Sequence, residues 1–121
     1  VLDYKSQSNN YPITPESYLS GIYHQAYKMQ LDVYGYLLEK NGFPVAPIGY
    51  FYVCNAKSEV SSFSGIMRFE EVLIPYTLDY SWVENEIFNM LDILNSNTIP
   101  EETFGCENCA YHREREKTSK H

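Results

Sequence analysis

Tyr27-Lys28-Met29-Gln30-Leu31-Asp32-Val33-Tyr34-Gly35-Tyr36-Leu37-Leu38-Glu39-Lys40-Asn41-Gly42 is the stretch that decides how this chain folds. From Ile22 to Lys40, the residues Tyr23, Tyr27, Gln30, Leu31, Tyr34, Leu37 and Leu38 recur at spacings of three and four, the period of one helix face. Asn41-Gly42 stops the helix, because glycine accepts the left-handed conformation that closes one, and Pro44 and Pro47 prevent continuation.

Upstream of this helix, Val1 to Lys5 reads as the end of a buried strand, and the polar Ser6 to Thr14, with Asn9-Asn10 and Pro12, as a loop. Pro15 and Glu16 suit the first turn of a helix that Gly21 interrupts. Downstream, Ile48 to Asn55 is dense in aromatic and β-branched residues and predicts a strand. Lys57 to Gly65 is Ser-rich and reads as a loop. Ile66 to Tyr76 predicts a second strand, bulged near Glu70 and Glu71 and ending near Pro75. Ser81-x-x-Glu84 has the form of a capping box, and Val83, Ile87, Met90, Leu91 and Leu94 mark a helix to about Asn95. Ser96 to His121 reads as a tail that contains Cys106-Glu107-Asn108-Cys109 and ends in a charged, frayed run. The order strand, long helix, strand, strand, helix, tail predicts an α/β fold with a mixed sheet flanked by helices.

The chain has 121 residues, enough for one modest core, and 44% of them are apolar. Twelve are tyrosines, and 16% of the chain is aromatic, which excludes a disordered polymer and predicts aromatic packing in a core and at interfaces. No apolar run reaches the roughly 18 residues of a membrane helix. Cys54, Cys106 and Cys109 are odd in number, and no basic-then-apolar leader opens the sequence, so a reducing, cytoplasmic location is expected. The net charge of −7 opposes free-standing nucleic-acid binding, although metal-dependent nucleases need carboxylates whose bound cations invert the local charge.

Asp3-Tyr4-Lys5 and Gln30-x-x-x-Tyr34 are the segments that can carry chemistry. In a strand, Asp3 and Lys5 share one face. A carboxylate beside an ammonium can hold a divalent cation while the lysine orients water or a phosphate oxygen, and the Tyr4 backbone carbonyl offers a further ligand. Gln30 and Tyr34, at i and i+4, share a helix face, where they can contact phosphate or support a neighbouring carboxylate. Each segment taken singly also fits an ordinary strand end and a half-buried aromatic helix face. Glu70 and Glu71 do not make a paired acid site, because adjacent strand residues face opposite ways. His24 and His121 carry no signal of their own.

The combination is more specific. An acidic-x-Lys strand end, a polar loop, a helix bearing Gln30-x-x-x-Tyr34, an aromatic strand, another helix and Cys106-x-x-Cys109-x-Tyr111 together resemble the RecB-like branch of the PD-(D/E)XK nuclease superfamily. The resemblance implies a restriction-endonuclease-like core fragment. Residues 1–97 would be the C-terminal part of a nuclease domain and residues 98–121 a cysteine-containing tail. It implies Asp3 as metal ligand, Lys5 as catalytic lysine, and Gln30 and Tyr34 as supports of the site or contacts to DNA. The implied reaction is Mg²⁺- or Mn²⁺-dependent hydrolysis of DNA, as an exonuclease in repair, recombination or defence.

The family also needs another Asp on a strand before Asp3, and often a His or Glu on an earlier helix. Only two residues precede Asp3 here. The expectation is therefore a missing upstream segment, or another chain, that completes the site, and little or no activity from this chain alone. The cysteines leave alternatives open. Cys106 and Cys109 can supply half of a zinc or iron–sulfur site, with His112 as a further candidate ligand, or can be a local packing element. A catalytically degenerate nuclease fold used for binding or assembly, and a small zinc-stabilised protein, are the competing readings.

Overall fold

The computed structural model describes residues 1–58 and 64–119. It divides into two compact units, Val1–Glu84 and Asn85–His121. The first unit contains strand β1 (Leu2–Gln7), helix α1 (Pro15–Ser20), a 3-10 turn (Ile22–His24), helix α2 (Gln25–Lys40) and strands β2 (Ile48–Ala56) and β3 (Phe69–Thr77). Helix α3 (Val83–Asn95) begins at its end, and helix α4 (Glu107–Thr118) lies in the second unit. The fold is mixed α/β, with a three-stranded sheet in the order β1-β2-β3.

β1 pairs parallel to β2, with Asp3 opposite Phe51 and Lys5 opposite Val53. Parallel neighbours cannot be joined by a tight turn, so the chain between them needs a crossover, and α1 and α2 supply it. β2 and β3 pair antiparallel in an unbroken register from Ile48–Thr77 to Ala56–Phe69. The bulge expected at Glu70 and Glu71 is therefore absent. β3 ends at Thr77, close to the expected end near Pro75, and Pro75 itself pairs opposite Tyr50. β3 is an edge strand, where a residue without an N–H can be tolerated. β1 runs two residues further than the sequence suggests, to Gln7. Part of the loop expected at residues 57–65 lies outside the described residues, as does His121.

Ile13, Tyr18, Leu31, Phe51, Val53 and Ile74 form the core, on the sheet face that α1 and α2 cover. Leu31 packs so closely on β2 that a Cβ on Gly49 would stand 2.9 Å from its Cδ2. α1 starts at Pro15 as expected, and the structure adds a capping box before it: Thr14 Oγ1 accepts from Ser17 N–H at 3.2 Å and Ser17 Oγ accepts from Thr14 N–H at 3.1 Å. Gly42 ends the α2 region with φ +84°, the left-handed stop read from the sequence. The buried stripe of α2 matches the expected one at Leu31 and at Tyr27, which packs against the core, but not elsewhere. Leu31, Asp32 and Gly35 are buried, whereas Tyr23, Leu37 and Leu38 are exposed. Residues 22–24 wind as a 3-10 turn, which offsets Tyr23 from the face that α2 buries.

Two buried polar side chains hold the loops around this core. Asn55 is bonded to the Asn9 backbone in both directions, accepting from its N–H at 2.8 Å and donating to its carbonyl at 2.9 Å, which ties the loop after β1 to the end of β2. Asp32 accepts from Tyr76 hydroxyl at 3.2 Å, Asp79 N–H at 3.0 Å and Trp82 Nε1–H at 3.1 Å. The expected capping box at Ser81 does not form. Ser81 Oγ instead donates to Asp79 Oδ1 at 2.6 Å, and Glu84 pairs with Lys40 at 3.5 Å, because α3 starts only at Val83.

In the second unit, residues 107–118 form α4 where a frayed tail was expected. Cys106 caps this helix, its sulfur accepting from Cys109 N–H at 3.2 Å. Glu102–Arg113 and Glu114–Lys117 ion pairs add to it. Among the described residues no helix is long and apolar enough to cross a membrane.

Candidate active site

β1 alternates its side chains, so Asp3, Lys5 and Gln7 turn towards the helices while Leu2, Tyr4 and Ser6 are exposed on the other face. α2 crosses the buried face and presents Gln30 to β1. The result is a continuous polar chain. Lys5 Nζ lies 2.9 Å from Asp3 Oδ2 and donates to Gln30 Oε1 at 2.7 Å. Gln30 Nε2 in turn donates to the Tyr34 hydroxyl at 2.7 Å. The four residues singled out in the sequence are thus brought together from a strand and a helix.

The donor inventory orients this chain without ambiguity. An ammonium only donates, so Gln30 must present its carbonyl oxygen to Lys5 and its NH₂ to Tyr34. The Tyr34 oxygen therefore accepts, and its own proton is left for a partner outside. Tyr34 is 39% exposed, so that partner can come from solvent or substrate. Gln30, by contrast, has both ends of its amide occupied. Its carbonyl oxygen holds Lys5, and the second N–H of its amide remains a donor.

An aromatic wall closes the other side of Lys5. Its Nζ stands 4.3 Å from the centroid of the Tyr27 ring. His24 stacks on Tyr27 with centroids 5.3 Å apart, and Tyr18 stacks on His24 at 4.1 Å. His24 Nδ1 is 2.7 Å from the Tyr18 carbonyl oxygen, which can only accept, so Nδ1 carries the proton. Burial, and then the neighbouring Tyr27 and Asp3, push the Tyr18 phenol up to about 12. The sequence reading passed over His24, Tyr27 and Tyr18. For Tyr27 the signal was its spacing of three from Gln30, which puts both on one helix face.

Asp3 Oδ2 is fully buried and has no hydrogen-bond partner. Lys5 is near enough for an ion pair but is not aligned for a hydrogen bond. The charge neighbour of this oxygen is the Lys5 ammonium, and a metal ion bound there would compete with it. The Tyr4 ring lies on the exposed face, 6.0 Å from Tyr52, so only its backbone carbonyl is a candidate ligand. Among the described residues, no group of three or more His, Cys, Asp or Glu side chains could hold a metal ion. The site residues present thus supply one carboxylate, which fits part of a Mg²⁺ or Mn²⁺ site.

Cys106 and Cys109 are joined as a disulfide, and Cys54 is free and buried in β2. In the disulfide neither sulfur is a thiolate, the form that ligates zinc or an iron–sulfur cluster. Glu70 pairs with Lys57 at 3.0 Å and Glu71 is exposed, so neither joins the Asp3 site. Tyr18 lies in the core and Tyr27 and Tyr76 pack against it, while Tyr4, Tyr11, Tyr23, Tyr34 and Tyr111 are exposed. No family model, curated protein or solved structure matches the chain.

Proposed function

We propose that the Asp3–Lys5–Gln30–Tyr34 chain is part of the active site of a metal-dependent DNA nuclease of the PD-(D/E)XK type. The observation that carries this reading is the Lys5–Gln30 hydrogen bond. It joins the two short motifs, which are remote in sequence, into one polar constellation. In this reading Asp3 and the Tyr4 carbonyl contribute ligands to Mg²⁺ or Mn²⁺, and the cation supplies neutralisation of the charge that develops at phosphorus. Lys5, held by Gln30, orients the attacking water or a phosphate oxygen. Tyr34 directs its free hydroxyl proton at the DNA backbone. The second acidic ligand comes from an upstream strand or another chain.

The test is cleavage of linear and circular DNA by the chain joined to that upstream segment, with Mg²⁺, Mn²⁺ or EDTA, beside a Lys5→Ala control. Metal-dependent cleavage lost in the control supports the reading, and the linear-to-circular comparison separates exonuclease from endonuclease action. Equal cleavage by Lys5→Ala removes it.

A second reading, a degenerate nuclease fold that binds a partner without catalysis, is favoured by Asp3 being the single acidic side chain within this polar chain. It predicts no metal dependence. Mn²⁺ binding that disappears in Asp3→Ala counts against it. A zinc or iron–sulfur role for Cys106 and Cys109 requires the reduced pair, and metal analysis of protein purified under reducing conditions decides it.

A further inference from the structure

Lys5 has three partners of different kinds. Asp3 is charged, at 2.9 Å, while Gln30 Oε1 at 2.7 Å and the Tyr27 ring at 4.3 Å from its centroid are neutral. A carboxylate that serves a divalent cation cannot also hold the ammonium with full strength, since both compete for the same negative oxygen. The neutral partners do not compete. Gln30 offers one acceptor, and the electron-rich face of Tyr27 offers an attraction that needs no hydrogen-bond geometry.

The ring is itself restrained. His24 stacks on Tyr27 with planes only 16° apart, and Tyr18, 2% exposed and tilted against core Phe51 at 5.7 Å, stacks on His24. The His24–Tyr18 carbonyl contact at 2.7 Å fixes the middle ring. Three rings, anchored in the core at one end, therefore reach the ammonium of Lys5 at the other.

We propose that Tyr27 is a positioning residue for Lys5, and that the Tyr18–His24–Tyr27 stack keeps the lysine aimed at the scissile phosphate when Asp3 is engaged by metal. This rests on the nuclease reading of the site. Tyr27 acts through Lys5 and need not touch the substrate. Its ring face matters and its hydroxyl does not, so Tyr27→Phe preserves the function and Tyr27→Leu removes it.

Two readouts separate this inference from the nuclease reading. In NMR spectra of the chain with labelled lysine, the Lys5 ε-methylene protons are expected upfield of the other lysines, from the ring current of Tyr27. The shift persists in Tyr27→Phe and vanishes in Tyr27→Leu. Lys5 signals at ordinary positions in the unaltered chain overturn the proposal, and this holds even if Tyr27→Leu does not fold. In the cleavage assay, Tyr27→Leu lowers kcat about tenfold with KM unchanged, and Tyr27→Phe restores it. A Tyr27→Leu protein that is folded and cleaves at the full rate also overturns the proposal. A parent protein that cleaves no DNA removes the nuclease reading instead, and with it the catalytic part of this role, while the NMR shift still decides whether Tyr27 holds Lys5.

Discussion

Lys5 Nζ and Gln30 Oε1 stand 2.7 Å apart although 25 residues separate them in the chain. The parallel register of β1 on β2 and the seating of Leu31 against Gly49 together bring the two side chains to one place. Replacing Gln30 by Leu removes the neutral acceptor and leaves the ammonium to Asp3 and Tyr27. DNA cleavage by the complete site is expected to fall roughly 10- to 100-fold, the scale of one charge-assisted hydrogen bond, with the thermal transition little changed. Single-turnover kinetics beside a melting curve measure both quantities.

Tyr34 accepts from Gln30 and keeps its own proton for the outside. Tyr34→Phe deletes that donor and leaves Gln30 Nε2 open to water. DNA affinity is expected to drop about fivefold, one ordinary hydrogen bond, and an equilibrium titration by fluorescence anisotropy reads it. Unchanged affinity would show that Tyr34 serves only to hold Gln30.

Asp32 is 4% exposed and accepts from three donors of the segment after β3 and of β3 itself. Asp32→Ala strands the Tyr76 hydroxyl, the Asp79 N–H and the Trp82 indole N–H together. A loss of roughly 3 kcal/mol is expected, since each buried unpaired donor costs about 1–3 kcal/mol and some regain water. Trp82 is the only tryptophan of the chain, so its fluorescence should respond in the folded variant, and urea titration gives the stability change.

Alkaline pH should destabilise the fold. Burial, reinforced by the charge and hydrogen bond of Asp32, pushes Tyr76 up to about 12, and burial does the same for Tyr18. The unfolded phenols titrate near about 10. Below that value both states are protonated and the full stability is present. Between about 10 and 12 the unfolded chain releases protons first, so it binds fewer than the native state and stability falls with pH. Melting curves across this range, with tyrosinate absorbance recorded in parallel, check the sign. A melting temperature flat from pH 9 to 12 contradicts it.

Much of the element plan was legible because it rests on local chemistry. The long helix read over residues 22–40 and found over 25–40, its stop at Gly42, the Pro15 start of α1 and the aromatic strand at Ile48 each follow from propensity, period or backbone freedom. Asp3, Lys5, Gln30 and Tyr34 were legible as candidates because i, i+2 on a strand and i, i+4 on a helix share faces in any context. The readings that failed depended on neighbours. Ser81 fits a capping box in isolation, but Asp79, two residues earlier, takes its hydroxyl. Glu70-Glu71 suggests a bulge in isolation, but pairing with β2 keeps an unbroken register through both.

The sequence by itself determined the alternation of strand and helix over residues 1–95 and the shared faces of Asp3 with Lys5 and of Gln30 with Tyr34, because those depend on dihedral preferences and on the periods 2.0 and 3.6. Only the tertiary structure decided that Lys5 meets Gln30 and Tyr27, that Asp32 is buried and satisfied, and that Asp3 Oδ2 is buried without a hydrogen bond. Those facts are set by sheet register and by the close seating of α2 at Gly49, long-range relationships for which no local pattern in the chain carries a signal.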